Sequence, residues 1–205
     1  MDENIDNVVA LADICKVLQG KNVDKKKTND EKHGLPVVVG ASDLIQGRFV
    51  PSRWCNEKLN QPTFTEKGDI LMSVVGSIGK MAVNTEGTAI LSKHVCALRP
   101  KDGVSRQYLM AVVSRLLLDA IPDTADEVVL GFQNKADISV LKKIRFTLPA
   151  LFIQEWLVSR LTSIATMILA YKGKKDDFLS CEGIISAIEQ ERKEQRAHMR
   201  KLSEK

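Results

Sequence analysis

The lysines of residues 21–32 are the first feature of this sequence that could do chemistry. The segment has five lysines beside three acidic residues. Clustered ammonium groups hold phosphates without regard to base sequence, so the segment predicts either a phosphate-contacting loop or a flexible surface loop with no function. Together with a lysine in a later glycine-rich turn, the candidate phosphate contacts are Lys21, Lys25, Lys26, Lys27 and Lys80.

Other polar residues have side chains that match the edges of nucleic-acid bases. Glutamine and asparagine suit adenine, and lysine suits guanine. We expect these residues at strand ends or in loops, although an ordinary surface position is the simpler interpretation of each one. The candidate base readers are Lys93, His94, Gln133, Asn134 and Lys135. If these do not read bases, the alternative is the loop from Gly47 to Pro62, with Arg48, Arg53, Trp54, Asn56 and Gln61.

The segment from Gly76 to Lys80 has the residue types of a nucleotide-binding loop but not its spacing. Its two glycines are too close for the GxxxxGK[ST] pattern, and Met81 stands where the magnesium-binding hydroxyl belongs. We therefore predict a glycine turn between two strands with Lys80 at its tip, where the ammonium group can reach a phosphate or a guanine edge.

The sequence has no recognisable catalytic motif. It lacks GxSxG and GxGxxG, and its four cysteines and three histidines are scattered without a CxxC pair. Pro122 and Asp123 can begin a nuclease motif, but the acidic-x-lysine candidates lie in the charged segment 21–32 or far away at 191–193. We expect no catalytic residue, no metal and no cofactor, and a stand-alone nuclease is the least favoured alternative.

The composition is typical of a globular domain with an extension, since 44% of the 205 residues are apolar and 27% are charged. The net charge of +4 is spread along the chain, so a DNA-binding face would have to be made by folding. Aromatic residues make up only 5%, which disfavours stacking on single strands. No apolar run has the length of a signal peptide or membrane span, so we expect a soluble, cytoplasmic protein.

Short apolar runs interrupted by glycine and proline predict six strands in residues 1–148. The runs are 35–40, 68–76, 81–83, 89–91, 95–100 and 144–148. Apolar residues at helical spacing predict a helix over 105–121, ended by Pro122, and a shorter helix from Asn7 to Leu18. The prediction for residues 1–148 is a mixed α/β (α+β) globular domain.

Residues 149–205 have a different pattern, typical of one long helix. Pro149 suits a helix start, and a heptad seam follows that predicts a coiled coil. The seam residues are Leu157, Leu161, Ile164, Ile168, Tyr171 and Phe178. Gly173 and Gly183 each cost about 1 kcal/mol in a helix, so the helix should need a partner, most simply a second copy.

Taken in chain order, several segments resemble the specificity subunits of type I restriction-modification systems. Leu11 to Ile14 is similar to the beginning of their target-recognition domain, and Gly34 to Val37 is similar to its next landmark. Residues 67–73 are similar to the family's Gly-Asp-Ile-Leu strand. Leu148-Pro149-Ala150-Leu151 with Gln154 resembles the Pro-Pro-Leu-x-x-Gln start of the long helix, with Ala150 in place of the second proline.

The resemblance implies one target-recognition domain over 1–148 and one helical dimerisation and spacer region over 149–205. The chain resembles a half-size subunit, or one cut from a fusion, that would recognise one half of a bipartite site in double-stranded DNA. It would then require a second copy, paired through antiparallel C-terminal helices, or a second chain. Its partners would be the methyltransferase (M) and restriction (R) subunits, which would carry out the catalysis. The alternative from another class is a coiled-coil adaptor or assembly protein whose globular head binds protein.

Overall fold

The computed structural model describes residues 7–120 and 136–171. Its strands are β1 (Val8–Ala10), β2 (Cys15–Gln19), β3 (Leu35–Val38), β4 (Leu44–Ile45), β5 (Gly47–Phe49), β6 (Arg53–Cys55), β7 (Phe64–Thr65), β8 (Ile70–Ser73), β9 (Met81–Val83), β10 (Ala89–Leu91), β11 (Val95–Pro100) and β12 (Arg145–Thr147). Its α-helices are α1 (Leu11–Ile14), α2 (Arg106–Ala120), α3 (Ile138–Lys143) and α4 (Leu151–Tyr171). None of these helices is both long and apolar enough to cross a membrane.

A six-stranded sheet forms the centre of the domain. Its strand order is β2-β11-β8-β9-β5-β4, with every neighbouring pair antiparallel except β5 with β9. The middle strands β8 and β11 are almost entirely buried, because both faces of the sheet are covered. On one face Ile70 and Met72 share an apolar cluster with Leu109, Val113 and Leu117 of α2.

The opposite face of the central sheet is covered by a four-stranded sheet with the order β6-β3-β10-β7. Leu71 of β8 shares an apolar cluster with Val38 of β3 and Leu91 of β10. Successive side chains of a strand point to opposite faces, so Leu71 and its neighbours Ile70 and Met72 belong to different clusters. The mixed α/β domain that the sequence predicts is therefore confirmed.

The predicted helix from Asn7 to Leu18 is wrong. Only the four residues of α1 are helical there, and they lie between strands β1 and β2. β1 pairs with β12, and β2 pairs with β11 along five residues. Both partners lie far along the chain, and the local apolar spacing, which also fits one face of a helix, does not reveal them.

Most other predicted elements are confirmed. β9, β10 and β11 have the predicted bounds, β3, β8 and β12 are shorter, and α2 covers 106–120. The predicted glycine turn joins β8 to β9, with Gly76 and Gly79 at φ of +74° and +82°, a conformation that favours glycine. Strands β4–β7 are not predicted from the sequence, because strands of two or three residues carry almost no periodicity. The short helix α3 is not predicted either.

Asp69, in the Gly-Asp-Ile-Leu segment, holds the two sheets and their connections together. Nε and Nη2 of Arg99 donate to its two carboxylate oxygens at 2.8 and 2.9 Å. The Thr65 hydroxyl and the Glu66 amide each donate to Oδ2 at 2.9 Å. Burial by itself would raise the pKa of Asp69, but the hydrogen bonds from Arg99, Glu66 and Thr65 hold that pKa below its usual value.

Helix α4 is tied to the domain by its first turn. Gln154 is fully buried, and its Oε1 accepts the Ser105 N–H at 2.8 Å. Its Nε2 donates to the carbonyls of Gly103 and Pro149 at 3.1 and 2.8 Å. These three bonds satisfy backbone groups that the turn before α2 and the start of α4 would otherwise leave unpaired.

The predicted coiled-coil seam is described only in its first part. Leu157 is half-buried and Leu161 is 44% exposed. Ile164, Ile168 and Tyr171 belong to the same helix, and Phe178 lies outside the described residues. The coiled coil, and the division of the chain between residues 148 and 149, therefore stay predictions.

Two aromatic side chains at the start of α4 are exposed, which the sequence analysis did not predict. Phe152 is 71% and Trp156 is 55% exposed. Their spacing of four residues puts them on one face of the helix, away from buried Gln154. The guanidinium of Arg160 lies 5.4 Å from the centroid of the Trp156 ring.

Candidate nucleic-acid interface

The lysine-rich segment 21–32 is bonded to the segment 53–61. Asn29 and Trp54 exchange two backbone N–H···O bonds, each of 2.8 Å. Nζ of Lys27 lies 3.5 Å from the carbonyl oxygen of Lys58, and Nζ of Lys32 lies 6.0 Å from the centroid of the Trp54 ring. The lysines therefore lie on a segment with defined contacts to the domain.

A single turn of 3₁₀ helix, Lys25–Lys27, places three lysines next to each other. The Asp24 carboxylate caps it by accepting the Lys26 N–H at 3.0 Å. The Thr28 hydroxyl donates to the Lys25 carbonyl at 2.8 Å. Lys25 and Lys26 are exposed and Lys27 is half-buried. Short polar residues on either side thus hold the lysine turn in its conformation.

The positive charge of this region has no carboxylate partner in the part of the chain that the structure describes. Asp24 serves as the cap, and Glu31 pairs with His33 at 3.4 Å. The lysines that form no ion pair among the described residues are Lys21, Lys25, Lys26, Lys27, Lys32, Lys58 and Lys93. Asp24, Asp30, Glu31 and Glu57 lie in the same segments, but no lysine there is held in an ion pair with another described residue, and basic residues outnumber acidic ones. Exposed ammonium groups of this kind can attract a polyanion.

The turn at Lys93 and His94 lies beside the start of the lysine segment. Lys21 forms an isolated β-bridge with Ser92. Gly20 has no room for a side chain, since a Cβ there would lie 1.9 Å from the carbonyl oxygen of Ser92. The structure therefore brings a predicted phosphate contact, Lys21, and a predicted base reader, Lys93, to one surface.

His94 and Lys80 have polar contacts within the protein. Nδ1 of half-buried His94 lies 3.3 Å from the carbonyl oxygen of Val39. Nζ of Lys80 donates to the carbonyl of Ala41 at 3.0 Å. Lys80 is nevertheless exposed, and an ammonium group has three protons, so two remain for a ligand.

Three predicted base readers, Gln133, Asn134 and Lys135, lie outside the described residues. The next residue, Ala136, is buried, and its N–H donates to the carbonyl of Val74 at 2.7 Å. The Val74 N–H in turn donates to the carbonyl of His94 at 2.9 Å. The assignment of Gln133, Asn134 and Lys135 to base reading stays a prediction.

The alternative reading loop, Gly47 to Pro62, is divided between two sheets. Arg48 lies on β5 in the six-stranded sheet, whereas Arg53 and Trp54 lie on β6 in the four-stranded sheet. The part from Arg53 to Gln61 contacts the lysine segment, with Nζ of Lys21 3.5 Å from Oε1 of Gln61. Two candidates that are separate in the sequence are therefore joined. Residues 21–32, 53–61 and 93–94 are called the lysine surface below.

Lys58 belongs to the lysine surface, and the sequence analysis did not single it out. It is exposed, and its carbonyl is the group that Lys27 approaches from 31 residues earlier in the chain. No local pattern links the two positions. The only indication in the sequence is that Lys58 is a basic residue within the alternative reading loop, Gly47 to Pro62.

The described residues offer little for a metal or a cofactor. They contain no group of three or more His, Cys, Asp or Glu side chains that could hold a metal ion. Burial raises the pKa of the Cys15 and Cys96 thiols to about 12, so both are unreactive core residues. One open groove of about 320 Å³ is lined by the Asp69–Arg99 ion pair, and another of about 520 Å³ is lined mainly by apolar side chains.

Comparison with known proteins gives one family and one fold. The chain matches the family model for the type I restriction modification DNA specificity domain over residues 5–177. A chain from a structural study of complex assembly and conformational transition in a type I R-M system is 24% identical with a TM-score of 0.68, over 91% of this chain and 44% of that chain. The HsdS subunit from Thermoanaerobacter tengcongensis is 23% identical with a TM-score of 0.66, over 91% and 43%. This chain thus spans less than half the length of either, and the search of curated proteins gives no match.

Proposed function

The chain belongs to the family of type I restriction modification DNA specificity domains, and we propose that it recognises a defined sequence in double-stranded DNA. The observation that carries this function is the lysine surface. Three separate segments of the chain meet there, and seven lysines lie on it without an ion pair among the described residues. A surface of this charge binds duplex phosphates, and its polar side chains supply the selectivity.

Phosphate binding and base reading are assigned to different residues. Lys21, Lys25, Lys26 and Lys27 contact phosphates and set the position of the domain on the duplex, and Lys80 adds a contact from the glycine turn. Lys93 and His94 read base edges beside Lys21, together with Gln133, Asn134 and Lys135. The chain itself neither cuts nor methylates DNA, and those reactions belong to the M and R subunits.

The full recognition unit contains two copies of the domain. The described residues form one globular domain followed by helix α4, and the chain spans under half of the HsdS subunit that it resembles. A second copy, paired through antiparallel C-terminal helices along the seam from Leu157 to Phe178, supplies the second half of a bipartite site. Light scattering tests this pairing, and a monomer at high micromolar concentration with intact helix would contradict it.

A protein-binding role is the second candidate function. The observation that favours it is the exposed pair Phe152 and Trp156, which share one face of α4 and could together form an apolar contact with another chain. This role is compatible with DNA recognition when the aromatic pair docks a partner subunit. It replaces DNA recognition if the purified chain, alone and with its methyltransferase, retains no duplex from a random pool.

The lysine turn offers a direct test of the proposed function. The duplex is first selected from a random pool by the chain with its methyltransferase. The variant Lys25→Ala/Lys26→Ala should then bind cognate and unrelated duplexes more weakly by the same factor. The slope of log K against log salt concentration should fall by about 0.9 for each phosphate that the variant no longer binds. Fluorescence anisotropy at several salt concentrations measures both.

The matched control is Lys142→Ala/Lys143→Ala. These two lysines are also exposed and also occupy the last turn of a short helix, α3, outside the lysine surface. The control should keep the wild-type affinity and salt slope. An equal weakening of binding in the two double variants would show that binding follows net charge and not this surface, and would contradict the proposal.

A further inference from the structure

Gln61 has an unusual backbone conformation for its residue type. Its φ is +47°, in the left-handed region that favours glycine. The only other described residues besides glycine with positive φ are Lys32 and Gln46. Glycine would occupy position 61 without strain, so the backbone gives no reason for a glutamine there. An outlier of this kind directs attention to what the side chain does.

The side chain of Gln61 has little to do within the fold. It is exposed, and its one polar contact among the described residues is the long approach of Lys21 Nζ, at 3.5 Å from Oε1. The amide of Asn29, by contrast, makes two hydrogen bonds to the backbone of His33, at 3.0 and 3.1 Å. His94 is likewise engaged with the carbonyl of Val39. Gln61 thus keeps its amide hydrogens and one oxygen lone pair for a ligand.

The backbone on either side of the contact between Lys21 and Gln61 is nevertheless anchored. The Lys21 N–H donates to the carbonyl of Leu91 at 3.2 Å, and the Leu91 N–H donates to the carbonyl of Thr63 at 2.9 Å. Leu91 is completely buried on β10, so one rigid residue anchors both the lysine segment and the chain two residues after Gln61. The backbone of Lys21 and the chain close to Gln61 are therefore held near each other by the same buried strand, which is the rigid support that base recognition requires.

We propose that Gln61 reads an adenine in the major groove, with Oε1 accepting from the N6 amino group and Nε2 donating to N7. This inference rests on the proposed DNA-binding function and names one specificity-determining residue within it. Lys21 sets the orientation of the amide through the first lone pair of Oε1 and contacts the neighbouring phosphate. Gln61 thereby joins the readers at the Lys93–His94 turn on one surface.

The test is a pair of matched substitutions, Gln61→Gly and Gln46→Gly. Both glutamines are exposed and have φ of +47° and +48°, so glycine relieves the same backbone strain at each. We expect both variants to melt at or above the wild-type temperature. On the selected duplex and its single-base variants, Gln61→Gly should lose roughly a 10- to 100-fold preference for adenine at one position. Its salt slope should not change, and Gln46→Gly should keep the whole preference.

A second variant, Gln61→Asn, keeps an amide and tolerates the left-handed conformation but shortens the reach by one carbon. It should lose the same preference. Full preference in both Gln61 variants, or an equal loss of affinity for every duplex, would overturn the inference and leave DNA recognition standing. If the wild-type chain with its methyltransferase selects no duplex at all, the proposed function itself is wrong.

Discussion

Two charged regions of the domain differ in where their charges find partners. Around Asp69, a carboxylate with a side chain only 3% exposed is matched by Arg99, which also pairs with Glu66 at 3.0 Å. On the lysine surface, exposed ammonium groups have no carboxylate partner among the described residues. Charges of the first kind contribute to the fold, because removing Arg99 leaves the Asp69 carboxylate buried and without its charged partner. Charges of the second kind are available to a ligand.

The largest expected effect follows from breaking the first kind of pair. Arg99→Met leaves the Asp69 carboxylate buried without its main partner, which should lower the free energy of unfolding by about 3–5 kcal/mol. Urea unfolding followed by circular dichroism measures the loss. Arg53→Met, on the exposed side of β6, should change stability by less than about 0.5 kcal/mol. Equal changes in the two variants would remove the distinction between the regions.

A smaller effect is expected when a buried polar group without charge is removed. Gln154→Leu leaves the Ser105 N–H and the Gly103 carbonyl without their partner, at a cost of about 1–3 kcal/mol. Gln107→Leu, at an exposed position early in α2, serves as the control and should be nearly neutral. The same urea titration compares them, and a neutral Gln154→Leu would mean that α4 is not tied to the domain through this side chain.

The smallest expected effect is a change with pH in the stability difference between wild type and Arg99→Met. The folded protein holds the pKa of Asp69 below its usual value of 3.8. Its ionised form therefore contributes stability that is complete above about pH 4 and is lost as the pH falls through the folded-state pKa. In Arg99→Met, burial dominates and raises that pKa, so protonation relieves the buried charge. The unfolding free energies of wild type and variant should converge between pH 7 and pH 3, and a constant gap would contradict the assigned role of Asp69.

The central strands show how much of the fold is readable from sequence. β9, β10 and β11 were predicted with their bounds because they are apolar, lie between glycine or proline residues and are buried on both faces. The helix predicted over 7–18 was wrong outside α1, since Val8 and Val17 belong to strands whose partners, β12 and β11, lie far along the chain. Edge strands of two or three residues, such as β4 and β7, carry too few side chains for a pattern.

The residues of the candidate site could be predicted from the sequence only in part. The lysines of 21–32 and the polar residues near 93 and in 47–62 were recognisable by residue type. Their assembly was not, because a pairing such as Asn29 with Trp54 joins positions with no periodicity in common. The sequence also could not separate Gln61 from its polar neighbours. That distinction needs the backbone angle and the contacts of Lys21.

The sequence by itself determined the class of domain, the central strands, helix α2, the glycine turn, the start of the long helix and the family resemblance. These features depend on periodicity, turn residues and motif order, which act over a few neighbouring residues. Only the tertiary structure decided that Arg99 pairs with the buried carboxylate of Asp69 and that three separate segments form one lysine surface. Which charges are compensated depends on contacts between residues distant in the chain, and the free energy of burial, not local pattern, selects those contacts.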